Sequence, residues 1–298
     1  MAVVDKLFLV TLTKNKDDAG TDAGRLNLTI NVDGEDVADM DLGFMSSEGW
    51  LSNIGPGSAW LSEGQAAVSG GSHNLPGEPL TSPIEASLLT NSSIRLGIRA
   101  DDAWVPQHVL VLGNTEAGVD PTGKPTPSRV IALAMETELQ RWLSTDSTEG
   151  KLTMPLRLVG EGNSSTVIRR VLLLVYTGSG VATDDAIQLQ IRAGGNLVLQ
   201  QQVPDTAQDD LEEYTGNWYF LDVPVPFTRG DVLSNGGISL SILGTDSWSP
   251  RSLFVYGLDT AAGRPNEVVP LVSIPLWELG TLSTDLGEGQ PSVDLPGI

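Results

Sequence analysis

Apolar and polar residues alternate over short runs along most of the chain, the period-2 pattern of strands with one face buried. Residues 7–13, 25–32, 93–99 and 109–112 read as strands in the first half. In the second half the same pattern marks 171–177, 186–192, 197–203, 219–225, 238–243 and 253–256. Asp33-Gly34, Gly194-Gly195-Asn196 and Asn235-Gly236-Gly237 supply turn chemistry between them. A helical period fits one stretch, 131–143 (IALAMETELQRWL). The stretch that aligns with it, 268–279, carries Pro270 and Pro275, which a helix interior rejects, so strands are expected in both places.

That alignment exists because the text of the chain recurs. Residues 93–113 (SIRLGIRADDAWVPQHVLVLG) return as 237–257 (GISLSILGTDSWSPRSLFVYG), with Asp102, Trp104, Pro106 and Gly113 answered by Asp246, Trp248, Pro250 and Gly257. Val10-Thr11-Leu12-Thr13 is echoed by Leu174-Val175-Tyr176-Thr177, and Leu143-Ser144-Thr145-Asp146 by Leu282-Ser283-Thr284-Asp285. So long a period implies two whole domains rather than a solenoid. The expected fold is all-β: two consecutive antiparallel β-sandwich domains related by internal duplication, 1–160 and 161–298, joined in the Gly/Ser-rich stretch 160–165. The halves differ most over 45–90, which reads as a long loop insertion rich in Gly, Ser and Pro.

Composition narrows the function classes. The formal net charge of -21 leaves no basic stripe to displace counterions from phosphate, so no nucleic-acid partner is expected, and a lipid surface only through bridging cations. The chain has no cysteine, which removes disulfides, a thiol nucleophile and thiolate metal sites. Asp5 and Lys6 interrupt the first apolar run, so neither a cleavable signal peptide nor a transmembrane segment is expected. The chain reads as soluble, cytoplasmic or part of a released particle.

The segment 10–28, a strand ending in Thr that leads through Gly20-Thr21-Asp22 into an alternating strand, resembles the opening of the PLAT/LH2 family. The second half resembles it too over 174–189, with Ala182 in place of the loop glycine. Residues 94–111 and 238–256 are similar to the family's later unit of strand, acidic loop and Trp-containing strand, although Trp104 and Trp248 come early in it. The resemblance implies C2-like sandwiches that do no chemistry and dock onto proteins or surfaces, sometimes through loop-bound Ca²⁺. It implies that Asp17, Asp18, Asp22, Asp101 and Asp102 converge at one end of the first domain, and Asp184, Asp185 and Asp246 in the second. Carboxylate oxygens are the donors a hard cation such as Ca²⁺ takes. The plainer reading is that these acids shape their loops by accepting backbone N–H bonds.

Other chemistry has thinner support. The two histidines, His73 and His108, have no matching partner in the second half and no nucleophile-elbow context. A hydrolase using paired carboxylates rests on the abundance of acids alone. Trp50 and Trp60, in the insertion, are candidates for anchoring a partner, or for folding back onto the sandwich. Trp104-Val105-Pro106 and Trp248-Ser249-Pro250 read either as aromatic plugs of the sandwich end or as apolar tips that enter a partner. The leading expectation is a non-catalytic docking protein that holds a protein partner or surface through sandwich-end loops with Ca²⁺ as the implied cofactor. The alternative is a structural subunit of an assembly such as a virion, appendage or injection particle, in which case it would be oligomeric.

Overall fold

The computed structural model describes residues 3–13, 26–42, 59–61, 78–85, 89, 92–99, 103–115, 118–119, 125–126, 129–177, 182–204, 211–212, 216–260, 265–274 and 276–297. The chain divides into two compact units, Met1–Gly160 and Glu161–Ile298.

In the first unit the strands are β1 (Val3–Thr13), β2 (Leu26–Val32), β3 (Glu35–Leu42), β4 (Ala59–Leu61), β5 (Glu78–Glu85), β6 (Ser92–Ile98), β7 (Ala103–Trp104), β8 (Pro106–Thr115), β9 (Gly118–Val119), β10 (Pro125–Thr126), β11 (Arg129–Glu136), β12 (Leu143–Ser144) and β13 (Thr153–Leu156). One sheet runs β11-β8-β1, with β4 and β5 both pairing the far side of β1; the other runs β13-β6-β2-β3. A short strand β14 (Gly160–Glu161) precedes β15 (Val167–Thr177), β16 (Ile187–Ala193), β17 (Asn196–Gln202), β18 (Gly216–Thr228), helix α1 (Arg229–Asn235), β19 (Gly237–Ile242), β20 (Pro250–Asp259), β21 (Glu267–Ile274) and β22 (Ser292–Leu295). Their sheets run β14-β21-β20-β15-β18 and β17-β16-β19-β22.

Each unit is a β-sandwich because alternation in its strands points one row of side chains into a shared core. In β16, Ile187, Leu189, Ile191 and Ala193 are buried while Gln188, Gln190 and Arg192 face outward. They meet Val171, Leu173 and Val175 of β15 in one hydrophobic cluster. Leu26, Leu28 and Ile30 of β2 meet Val4, Leu7 and Leu9 of β1 in the same way in the first unit.

The two strand orders correspond one for one, β1 with β15, β2 with β16, β3 with β17, β6 with β19, β8 with β20, β11 with β21 and β13 with β22. Residues 131–143 and 268–279 enter strands β11 and β21, not helices. The all-β expectation holds, with α1 as an addition. That helix is announced by Thr228-x-x-Asp231: the Asp231 N–H donates to Thr228 Oγ1 while Asp231 Oδ2 accepts the Thr228 N–H at 2.9 Å.

The long insertion requires correction. Residues 45–90 are not simply a loop, since β4 and β5 lie within them and edge the larger sheet. Val10 pairs Leu61 and Val3 pairs Glu85, as Leu174 pairs Trp218 and Val167 pairs Thr228. The one continuous strand β18 is thus matched by a strand in two pieces, and the true addition narrows to 62–77, outside the described residues. At the other end of the chain, β22, between Pro291 and Pro296, pairs β19, and Gly297 bridges to Val272.

Candidate functional site

At one end of the second unit, the loops after β19 and before β22 close over Trp248. Its side chain is fully buried, and its Nε1–H donates to Thr177 Oγ1 at 3.4 Å. Its backbone exchanges two hydrogen bonds with Leu282, each 2.8 Å. The Leu-Ser-Thr-Asp anchor of the repeat explains itself here. Leu282 flanks the ring, Ser283 Oγ donates to the Thr245 carbonyl at 2.9 Å, and Thr284 donates to the Gly244 carbonyl from N–H (3.1 Å) and Oγ1 (2.7 Å). Ser283 Oγ then accepts the Asp285 N–H, and Asp285 Oδ1 accepts the Gly287 N–H.

The first unit repeats these devices. Leu143 pairs with Trp104, also fully buried, and Ser144 Oγ accepts the Asp146 N–H. Asp146 Oδ1 accepts both the N–H and the hydroxyl of Thr148 at 2.7 Å, which holds its pKa below the ordinary aspartate value.

Trp104 and Trp248 are buried, not exposed, and pair with Leu143 and Leu282, the placement expected of aromatic plugs of the sandwich ends. Trp60 sits in β4 opposite Thr11, and Trp50 lies outside the described residues. Asp17, Asp18, Asp22, Asp101 and Asp102 also lie outside them, as does His73. His108 is buried, and its Nδ1 accepts the Glu138 N–H at 3.3 Å.

The second unit's acids have distinct positions. Asp185 is half-buried, and its Oδ2 accepts the Asp246 N–H at 2.7 Å, while its own N–H donates to the buried Thr183 Oγ1 at 3.0 Å. Its carboxylate fills the space over Gly244, where a Cβ would collide with it. Asp185 thus clamps one loop onto the other. Asp184 and Asp246 are exposed. Their oxygens suit Ca²⁺, yet among the described residues no three His, Cys, Asp or Glu side chains are grouped closely enough to hold a metal ion.

The sequence reading missed the apolar residues of this end. Leu243 is 51% exposed and Leu286 is 80% exposed, on the loops joined by the Thr284–Gly244 bonds. The corresponding places in the first unit hold Arg99, just after β6, and Ser147, in the Asp146 turn. That difference between the halves was the available signal. The end of the second unit is thus a set of hydrogen-bonded loops presenting two leucines among Asp184, Asp246, Asp285 and Glu288.

No protein-family model matches the chain, and no curated protein or solved structure matches it. Among the described residues, no helix is long and apolar enough to cross a membrane.

Proposed function

We propose that this chain is a non-catalytic docking protein built of two PLAT-like β-sandwich units, and that the end of the second unit is its contact surface. One observation carries the reading: Leu243 and Leu286 stand exposed on loops held by Asp185, Ser283 and Thr284. A leucine at 80% exposure forfeits most of its burial free energy, roughly 1.5–3 kcal/mol, which a partner recovers without first ordering the loop. The surrounding acids select a partner whose apolar seat is rimmed by Lys or Arg.

Ca²⁺ belongs to this proposal as a bridge between Asp184 or Asp246 and the partner, with Asp185 kept for loop geometry. The test is affinity capture from source lysate by the wild-type chain and by a Leu243→Ser/Leu286→Ser variant, each with and without chelator. Partners held by the wild type and lost by the variant support docking at this end, and their release by chelator supports the bridge. Equal capture by both proteins overturns the surface. A calorimetric titration that shows neither heat nor a rise in Tm at millimolar Ca²⁺ removes the cation.

A further inference from the structure

Every sheet edge described in this protein is blunted except one. β3 carries Glu35, Asp36, Asp39 and Asp41; β5 carries Glu78, Pro79, Pro83 and Glu85; β18 carries Asp222, Pro224 and Pro226. β13 has four residues with Pro155 among them, and β22 has four with Asp294, between Pro291 and Pro296. β4 and β14 have three residues and two. β11 is covered by backbone, since the Met135 N–H donates to the Arg157 carbonyl and the Val159 N–H to the Leu133 carbonyl. These are the usual defences against edge-to-edge pairing: charge, proline, brevity and cover.

Within its own residues β17 has no charge and no proline, it is not short, and among the described residues no backbone covers it; the nearest proline is Pro204, beyond its end. Its seven residues are Asn196-Leu197-Val198-Leu199-Gln200-Gln201-Gln202, and it occupies the end of the order β17-β16-β19-β22. Among the described residues its strand pairing is with β16 alone. Its topological counterpart is the acid-laden β3, so the contrast lies between equivalent places in the two units. On the outward face beside this edge Arg192, in the row with Leu197, is the one charge that β16 and β17 carry. Register sets Gln202, Gln188, Ser241 and Ser292 in one row, and Gln200, Gln190 and Ser239 in the next, which reaches a charge only at Asp294. Gln188 Oε1 accepts from the amides of both Gln190 and Gln200 at 3.3 Å, an amide ladder that runs out to the edge strand.

We infer that β17 is an interface for a second copy of this chain, paired antiparallel to its own equivalent so that the two four-stranded sheets become one. Charge names the occupant. At a net charge of -21 two copies repel over most of their surface, and this edge is where they approach with no like charges opposed. Amides donate and accept equally, so the strand is complementary to itself, and a two-fold pairing of edges closes as a dimer instead of growing into a fibre. Left unpaired, an uncharged, proline-free segment of this length is an aggregation template.

Sedimentation equilibrium of the full chain over a broad concentration range tests this. The wild type is expected at twice the 31.5 kDa chain mass. Gln200→Lys/Gln202→Lys sets like charges across the paired edge and is expected to raise the dimer Kd by about tenfold or more. Ser239→Lys/Ser241→Lys, on the same face but away from the edge, is expected to keep the dimer. Unchanged melting curves verify that both variants fold. A wild type that stays at single-chain mass to high micromolar concentration overturns the inference, as does a dimer indifferent to the edge lysines, or an edge that instead takes up a different protein. The loop end with Leu243 and Leu286 is untouched by these variants, so docking there and pairing here succeed or fail separately.

Discussion

Trp248→Ala separates a structural plug from a binding anchor most sharply. The side chain is fully buried and belongs to the second unit's hydrophobic cluster with Leu253, Val255 and Leu282. Removing about 200 Å² of aromatic surface from water contributes roughly 5 kcal/mol at about 25 cal/mol per Å². This is an upper figure, because the unfolded chain already hides part of that area. Aromatic-to-Ala truncations in packed cores cost about 3–5 kcal/mol, and the lost Nε1–H bond to Thr177, long at 3.4 Å, adds little to that. We expect a loss of about 4 kcal/mol in the second unit. Two units need not unfold together, so amide hydrogen exchange of β15 and β20 is the proper assay, supported by urea unfolding followed by far-UV circular dichroism. The expected result is protection reduced by about three orders of magnitude in those strands. Unchanged protection together with loss of a bound partner would refute the plug and restore the ring as an anchor.

Further expectations concern the loops, acid and one buried hydroxyl. Gly244→Ala drives a methyl into the Asp185 carboxylate and should break the clamp, read as faster exchange of the Asp246 amide, whereas an unchanged amide would remove Asp185 from that role. The hydroxyl and N–H of Thr228 hold the Asp231 carboxyl below its ordinary pKa, as Thr148 does for Asp146. Each ion therefore contributes stability that is fully present above about pH 4 and is lost as pH falls through the lowered folded value. Asp231→Asn should flatten the acid dependence of melting, and an identical slope in the variant would contradict it. Tyr256 is fully buried, its hydroxyl has no hydrogen-bond partner among the described residues, and burial pushes its pKa up. Tyr256→Phe should therefore leave stability unchanged or raise it by about 1 kcal/mol, while a clear loss would point to a bond the hydroxyl makes in solution.

Much of the scaffold was legible because strands with one wet face write themselves as alternation. Ile187-Gln188-Leu189-Gln190-Ile191-Arg192 shows its sheet and its inward face at once. What escaped were strands whose residues answer to edge protection instead of burial. β3 is written with four acids, β5 with two prolines, and β22 sits in a Pro-rich tail, so each looks like loop until a neighbouring strand supplies its hydrogen bonds. The site was legible in part. Asp185 and Asp246 do meet, but as carboxylate and backbone N–H, a pairing that residue type alone does not distinguish from a shared cation. Comparison of the halves pointed to Trp104 and Trp248, and the Leu-Ser-Thr-Asp anchor turned out to be what seals them. Leu243 and Leu286 stood in plain view as departures from Arg99 and Ser147, but an isolated leucine carries meaning only once its exposure is known.

Docking through the second unit's end is tested most directly by a photo-crosslinking residue placed at Leu286, with one at Val225, 58% exposed on β18, as the control. Irradiation in source lysate is predicted to give one dominant adduct from position 286 that is absent from position 225 and is suppressed by excess unmodified chain but not by the Leu243→Ser/Leu286→Ser variant. Identical adducts from both positions, or none from 286 while partners still co-purify, would contradict the account.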